Sequence, residues 1–210
     1  MKVAVIGATG KSGQHIVTEA LNKGYEVTAI VRDKTKITHD KVKVLERNIF
    51  DLTVNDIKGF DAVINAFSAP QNDQHQHVVA MQHLIKIFEQ VPQVRLLVVG
   101  GAGSLYVDPQ KSVRLSSTPD FPDAYKPTAL NMAESFDLLK VSKVNWTYFS
   151  PAAFYDPDGK RTGKYQLGTD FLMTNKEGQS YISYADYAIA MVAELANKAF
   201  IKKRFTIVAA

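Results

Sequence analysis

The chain opens on Val3-Ala4-Val5-Ile6-Gly7-Ala8-Thr9-Gly10-Lys11-Ser12-Gly13, four apolar residues running straight into three glycines spaced three apart. Val3–Ile6 has the length and β-branched content of a buried parallel strand. Beyond the glycines, Ile16, Val17, Ala20 and Leu21 share one face at helical spacing. A strand that passes through such a loop directly into a helix is the phosphate-binding corner of a dinucleotide fold. Gly7 permits the tight turn, Gly10 has no side chain to hold a pyrophosphate off the backbone, and Gly13 lets the helix pack closely on the sheet. The helix N-terminus adds free N–H groups and a positive dipole end, and Thr9 and Ser12 add hydroxyl donors. Gly7, Thr9, Gly10, Lys11, Ser12 and Gly13 are therefore the expected cofactor contacts.

Working outward, short β-rich runs recur at Val27–Val31, Lys43–Leu45, Ala62–Phe67, Leu96–Val99 and Trp146–Phe149, with a last one at Phe205–Val208 to complete the sheet. Helical stripes lie between them: Val78, Met81, Ile85 and Phe88; Leu130, Ala133, Phe136 and Leu139, with Pro127 placed for a first turn; and Ala188, Met191, Val192 and Leu195. This alternation implies an α/β fold, a Rossmann-type doubly wound, mostly parallel sheet flanked by helices. No linker or repeat interrupts it, so residues 1–210 read as a single NAD(P)-binding domain. Two long irregular stretches, 100–126 and 150–180, leave the carboxyl ends of strands and read as substrate-side loops.

Composition narrows the partners. With 46% hydrophobic and 22% charged residues the balance is that of a globular protein. The net charge of +4 is scattered, without an aromatic-interleaved basic motif, which argues against nucleic acid. Cysteine is absent, excluding disulfides and thiolate chemistry. No apolar run approaches the about 18 residues of a membrane span. The expectation is a cytoplasmic protein, monomer or homodimer. His75-x-His77 beside Asp73 has the wrong helical spacing for a shared metal, and no metal site is expected.

The second strand ends Val31-Arg32-Asp33. An NAD site usually places an acid at this strand end to accept from the ribose 2′-OH, whereas Arg32 comes first here. Its guanidinium can pair with a 2′-phosphate, and Lys36 can add a second charge. NADP(H) is therefore preferred over NAD(H), the alternative being a solvated Arg32 with Asp33 on the ribose.

Gly7–Gly13, Gly24-Tyr25-Glu26-Val27-Thr28 and Val31-Arg32-Asp33 resemble the atypical short-chain dehydrogenases of the NmrA-like, NADH-flavin reductase and biliverdin reductase B group. Leu97–Ser104, Trp146–Pro151 and Ser183–Ala188 are similar to bacterial NADH-flavin reductases in particular. The resemblance implies further cofactor positions. Asn48 and Ile49 stand where relatives hold adenine with an acid and an apolar residue. Ala66, Phe67 and Ser68 stand where relatives line ribose and pyrophosphate. Gly100, Gly101 and Ser104, with Pro151 and Ala152, end the two strands that frame the nicotinamide.

The superfamily's carbonyl reductases use a Tyr-x-x-x-Lys pair, in which lysine lowers the tyrosine pKa for proton donation. None of the nine tyrosines is followed four residues on by lysine; Tyr125, nearest the expected place, is followed by Ala129. That disfavours carbonyl reduction. A flavin or quinone asks less, because charge delocalises over the ring and solvent can supply the proton. Phe67, Tyr106, Phe121, Tyr125, Phe154 and Tyr155 offer aromatic surface for such an acceptor. The first reading is an NAD(P)H-dependent reductase of a flavin, quinone or similar conjugated acceptor, with flavin as substrate rather than prosthetic group. The second is a non-catalytic NmrA-like redox sensor acting through a protein partner. A third, carbonyl reduction with Ser104 or Tyr106 as proton donor, completes the candidates, and Ser104, Tyr106 and Tyr125 are the catalytic candidates.

Overall fold

A computed structural model describes residues 1–210. In chain order the main elements are β1 (Lys2–Ile6), α1 (Lys11–Asn22), β2 (Glu26–Val31), β3 (Lys43–Glu46), α2 (Val54–Ile57), β4 (Ala62–Asn65), α3 (Gln76–Phe88) and β5 (Arg95–Val99). Then follow α4 (Lys126–Val141), β6 (Trp146–Ser150), β7 (Phe154–Asp156), β8 (Tyr165–Gly168), β9 (Tyr181–Ser183), α5 (Tyr184–Asn197) and β10 (Lys203–Ala209). Eight strands form one sheet in the order β3-β2-β1-β4-β5-β6-β10-β8, and β7 pairs with β9 separately. Every pairing in the large sheet is parallel except β10 with β8. The direction of winding reverses between β1 and β4, which opens a crevice at their carboxyl ends.

The continuous apolar runs exist because the sheet is covered on both faces. Side chains alternate along each strand: Val3 and Val5 join a core with Ile16, Val17, Ala20, Met191 and Leu195 beneath α1 and α5. Ala4 and Ile6 join the opposite core with Leu84, Phe88, Phe136 and Leu139 beneath α3 and α4.

Three expectations need correction. The stretch 150–180 is not irregular, since it contains β7 and β8. β8 is a half-exposed edge strand lying outside β10, so Phe205–Val208 lies in the last strand of the chain but does not form the edge of the sheet. Leu130 is 52% exposed, and the buried stripe of α4 is Ala129, Ala133, Phe136 and Leu139. The stretch 100–126 is anchored rather than free. The Tyr106 backbone bridges to Arg114 and Phe171, and the Arg114 guanidinium donates to both Asp137 carboxylate oxygens at 2.9 and 3.0 Å.

Candidate functional site

Gly7 sits in the crevice at φ +75°, and a Cβ there would lie 2.6 Å from the Ala66 carbonyl oxygen at the end of β4. Its N–H donates to the Ile30 carbonyl at 3.1 Å, so the loop is fixed between three strand ends. A Cβ on Gly13 would lie 2.2 Å from the Gly7 carbonyl oxygen. The glycine is thus required by the loop folding back on its own helix rather than by the sheet. Gly10 differs from both. Its φ of −72° suits any residue, and the only neighbour of an added Cβ is the Gly7 oxygen at 3.2 Å. That one backbone contact is tighter than most Cβ contacts, and beyond it lies an exposed cradle that a side chain would fill. The N–H groups of Lys11, Ser12 and Gly13 have no partner, and no side chain caps the helix. An unpaired row of donors at a helix N-terminus suits a pyrophosphate.

At the end of β2, Arg32 is exposed and forms no ion pair with a carboxylate. Asp33 is committed elsewhere: its carboxylate accepts from Thr35 N at 3.0 Å and Thr35 Oγ1 at 2.5 Å. Those bonds, with Lys36 nearby, hold its pKa below the usual range. Lys36 lies 3.8 Å from Asp33, so its charge is partly compensated, and Lys34 pairs with Glu46 at 3.4 Å. Arg32 is therefore the unpaired cation of this corner. Asn48 Oδ1 accepts from Phe50 N at 3.3 Å, capping its own turn. Ile49 is only 3% exposed, its side chain packed in the core.

After β4, Ala66 and Phe67 are half-buried and Ser68 is exposed. Asn65 Oδ1 accepts from Phe67 N at 3.1 Å. The Phe67 ring stands edge-on to Phe50 and to His77, at 6.0 and 5.8 Å between centroids. His77 Nε2 accepts from Ala69 N at 3.4 Å, and burial lowers its pKa to about 4. Asn65 and His77 shape this loop from below. His77 shares a helical face with Met81 and Leu84, the signal that would have marked it as buried.

At the ends of β5 and β6 the candidates separate. Gly100 lies against the Tyr148 ring, 2.2 Å from where a Cβ would stand, and Gly101 N donates to the Tyr148 phenol at 3.3 Å. Burial pushes Tyr148 up to about 12. Pro151 and Ala152 are buried, and Phe154 just beyond is 61% exposed. Ser104 leaves the list of candidates. It is 2% exposed, and both its carbonyl and its Oγ accept from the Arg204 guanidinium, at 2.8 and 3.1 Å. A buried arginine must find acceptors, and Ser104 supplies two. Tyr106 packs over the same Arg204, 5.5 Å from the ring centroid, and against Phe171. Tyr125 is 68% exposed at the head of α4, with Ala129 buried one turn on. The Ser12 hydroxyl, expected as a donor in the phosphate loop, meets the Tyr155 phenol at 3.0 Å.

The sequence profile of a family described as NAD(P)H-binding matches residues 7–198. A Bacillus subtilis protein, YwnB, itself uncharacterised, is 52% identical over 209 residues, covering 99% of this chain and 98% of that one. The crystal structure of a candidate NADH-flavin reductase from Streptococcus pneumoniae superposes over 100% of both chains, with TM-score 0.95 and 44% identity. An anaerobilin reductase from Escherichia coli O157:H7 shares the fold at 20% identity, with TM-score 0.76 over 100% of this chain and 97% of that one. No helix is long and apolar enough to cross a membrane.

Proposed function

Given that this chain belongs to the NAD(P)H-binding family, we propose that it is an NADPH-preferring reductase of a flat conjugated acceptor, a flavin or quinone. The observation that carries this reading is the pairing of a complete dinucleotide corner with no assembled proton-donating pair. The unpaired N–H groups of Lys11, Ser12 and Gly13 would take the pyrophosphate, with Gly10 leaving it room. Arg32, free of any carboxylate, would take the 2′-phosphate. The bound nucleotide would supply hydride, which is the chemistry the protein itself lacks.

What remains for the side chains is placement. The Gly100–Gly101 turn, braced by Tyr148, and the buried Pro151–Ala152 turn would form the rigid floor on which the reacting rings meet. Phe67 and Phe154 would offer aromatic surface beside it. Tyr125 stands in solvent without a lysine, so an acceptor that takes its proton from water is favoured over a carbonyl. The name of the Streptococcus pneumoniae relative supports the same acceptor class.

The test follows oxidation of NADPH and NADH in the presence of riboflavin, FMN, FAD and soluble quinones, for the parent protein and Arg32→Ala. The expected outcome is turnover with at least one of these acceptors and a preference for NADPH. Arg32→Ala should weaken NADPH by about 1.5–3 kcal/mol, as loss of a charge-assisted bond would, with much less change for NADH. Tight nucleotide binding without turnover of any acceptor would replace the reductase by a dinucleotide sensor.

A further inference from the structure

Ser12 is the second residue of α1, and its backbone N–H is among the unpartnered donors at that helix N-terminus. Its hydroxyl lies 3.0 Å from the phenol of Tyr155, which reaches it from β7, 143 residues further along the chain. The Tyr155 ring is held against Tyr184 at 3.8 Å between centroids and lies 4.9 Å from wholly buried Tyr187. Packed in this way the phenol cannot turn aside, and Ser12 is its one hydrogen-bond partner.

Chemistry fixes the direction of that bond. A phenol is the stronger donor and an aliphatic hydroxyl the stronger acceptor. Burial also raises the Tyr155 pKa well above its ordinary value, so the phenol keeps its proton. Tyr155 therefore donates to Ser12 Oγ, and the serine's own proton is left to go elsewhere. The Tyr184 phenol also lies within reach of the same hydroxyl, and the unpartnered backbone N–H of Ser12 belongs to the helix N-terminus that borders the glycine cradle. A hydroxyl that accepts one hydrogen bond becomes a better donor in the next.

We propose that Tyr155 is a positioning residue for the dinucleotide, aiming and polarising the Ser12 hydroxyl so that it donates to the pyrophosphate. The proposal rests on the glycine loop being the nucleotide site. It also makes the phosphate loop and the segment after β6 one mechanical unit, because β7 is fastened to α1 through this bond. Phe154, the neighbouring residue of β7, alternates to the other side of the strand and is exposed there.

The experiment is a double-mutant cycle read by calorimetry, with Tyr155→Phe, Ser12→Ala and the pair titrated with NADPH, and with 2′-AMP as a probe that lacks the pyrophosphate. Tyr155→Phe keeps the packed ring, and Ser12→Ala removes the same hydrogen bond from the other side. Each single change should weaken NADPH by about three- to tenfold, the worth of one hydrogen bond. The double variant should be no weaker than Ser12→Ala alone, and 2′-AMP affinity should not move in any of them. Unchanged NADPH affinity in Tyr155→Phe, losses that multiply in the double variant, or an equal loss for 2′-AMP would each overturn the relay. Failure of the parent protein to bind NADPH or NADH would instead remove the site on which it rests.

Discussion

His77 shows how much one side chain can hide. It is 8% exposed, and burial takes its pKa from the usual 6.5 to about 4. The folded protein thus resists a proton that the unfolded chain accepts. Stability from this source is intact above about pH 6.5 and declines as pH falls towards 4, by about 3 kcal/mol at the limit. A protonated Nε2 would also confront the Ala69 N–H it now accepts from, loosening the loop after β4. Thermal melts from pH 7.5 to 4.5 should show His77→Gln losing less stability on acidification than the parent. Parallel curves would reject the assignment. In the sequence, the helical face that His77 shares with Met81 and Leu84 signals its burial, but not its role, because the Ala69 N–H it accepts from and the Phe67 ring beside it arrive from another segment. Ser104 is the same case, since its partner Arg204 lies 100 residues away. Gly7, Gly10 and Gly13 could be read directly because a local turn imposes their spacing.

At the scale of elements, the strand-loop-helix unit of β1 and α1 was readable because hydrophobic period and glycine spacing agree over one short window. β8 was not, because a four-residue edge strand whose middle residues, Gln166 and Leu167, are both exposed carries no apolar alternation. The α4 stripe was misplaced by one residue, Leu130 for Ala129, since a helix whose buried face is built largely of alanine and serine gives a weak amphipathic signal. The glycine corner gives a prediction whose sign separates general helix propensity from this particular packing. In an ordinary exposed helix Gly→Ala stabilises by about 1 kcal/mol. At Gly13 the new Cβ would stand 2.2 Å from the Gly7 oxygen and 2.9 Å from its carbonyl carbon, backbone atoms that cannot rotate away. Gly13→Ala should therefore destabilise by about 1–3 kcal/mol in a denaturant titration and weaken dinucleotide binding. A gain in stability would show that the loop does not close on its helix as described.

Across the whole molecule, the two ends of the sheet carry different burdens. The carboxyl end holds the glycine cradle, Arg32 and the unpaired helix donors, groups left unsatisfied by the fold itself. The amino end is closed by Arg95 at the start of β5, whose guanidinium donates to the Glu194 carboxylate and, at 2.6 Å, to Thr147 Oγ1. Glu194 also accepts from Phe200 N at 2.9 Å, so one acid joins α5, β5 and the turn into β10. Both partners of the ion pair are buried, at 5% and 3% exposure. Removing one partner leaves the other charge without compensation, a loss of about 3–5 kcal/mol. In a chain of this size that lowers Tm by on the order of 10 °C. Because Glu194 lies near the far end of α5 from the nucleotide corner, Glu194→Ala should leave the NADPH affinity of the folded protein unchanged. Gly10→Val should do the reverse, abolishing NADPH binding with little change in Tm, because its side chain would fill space the fold leaves empty. Melting curves and calorimetry on these two variants form a crossed test. If Glu194→Ala weakened NADPH in proportion to its loss of stability, the nucleotide site would depend on the global packing of the sheet rather than on the local geometry of the β1–α1 corner.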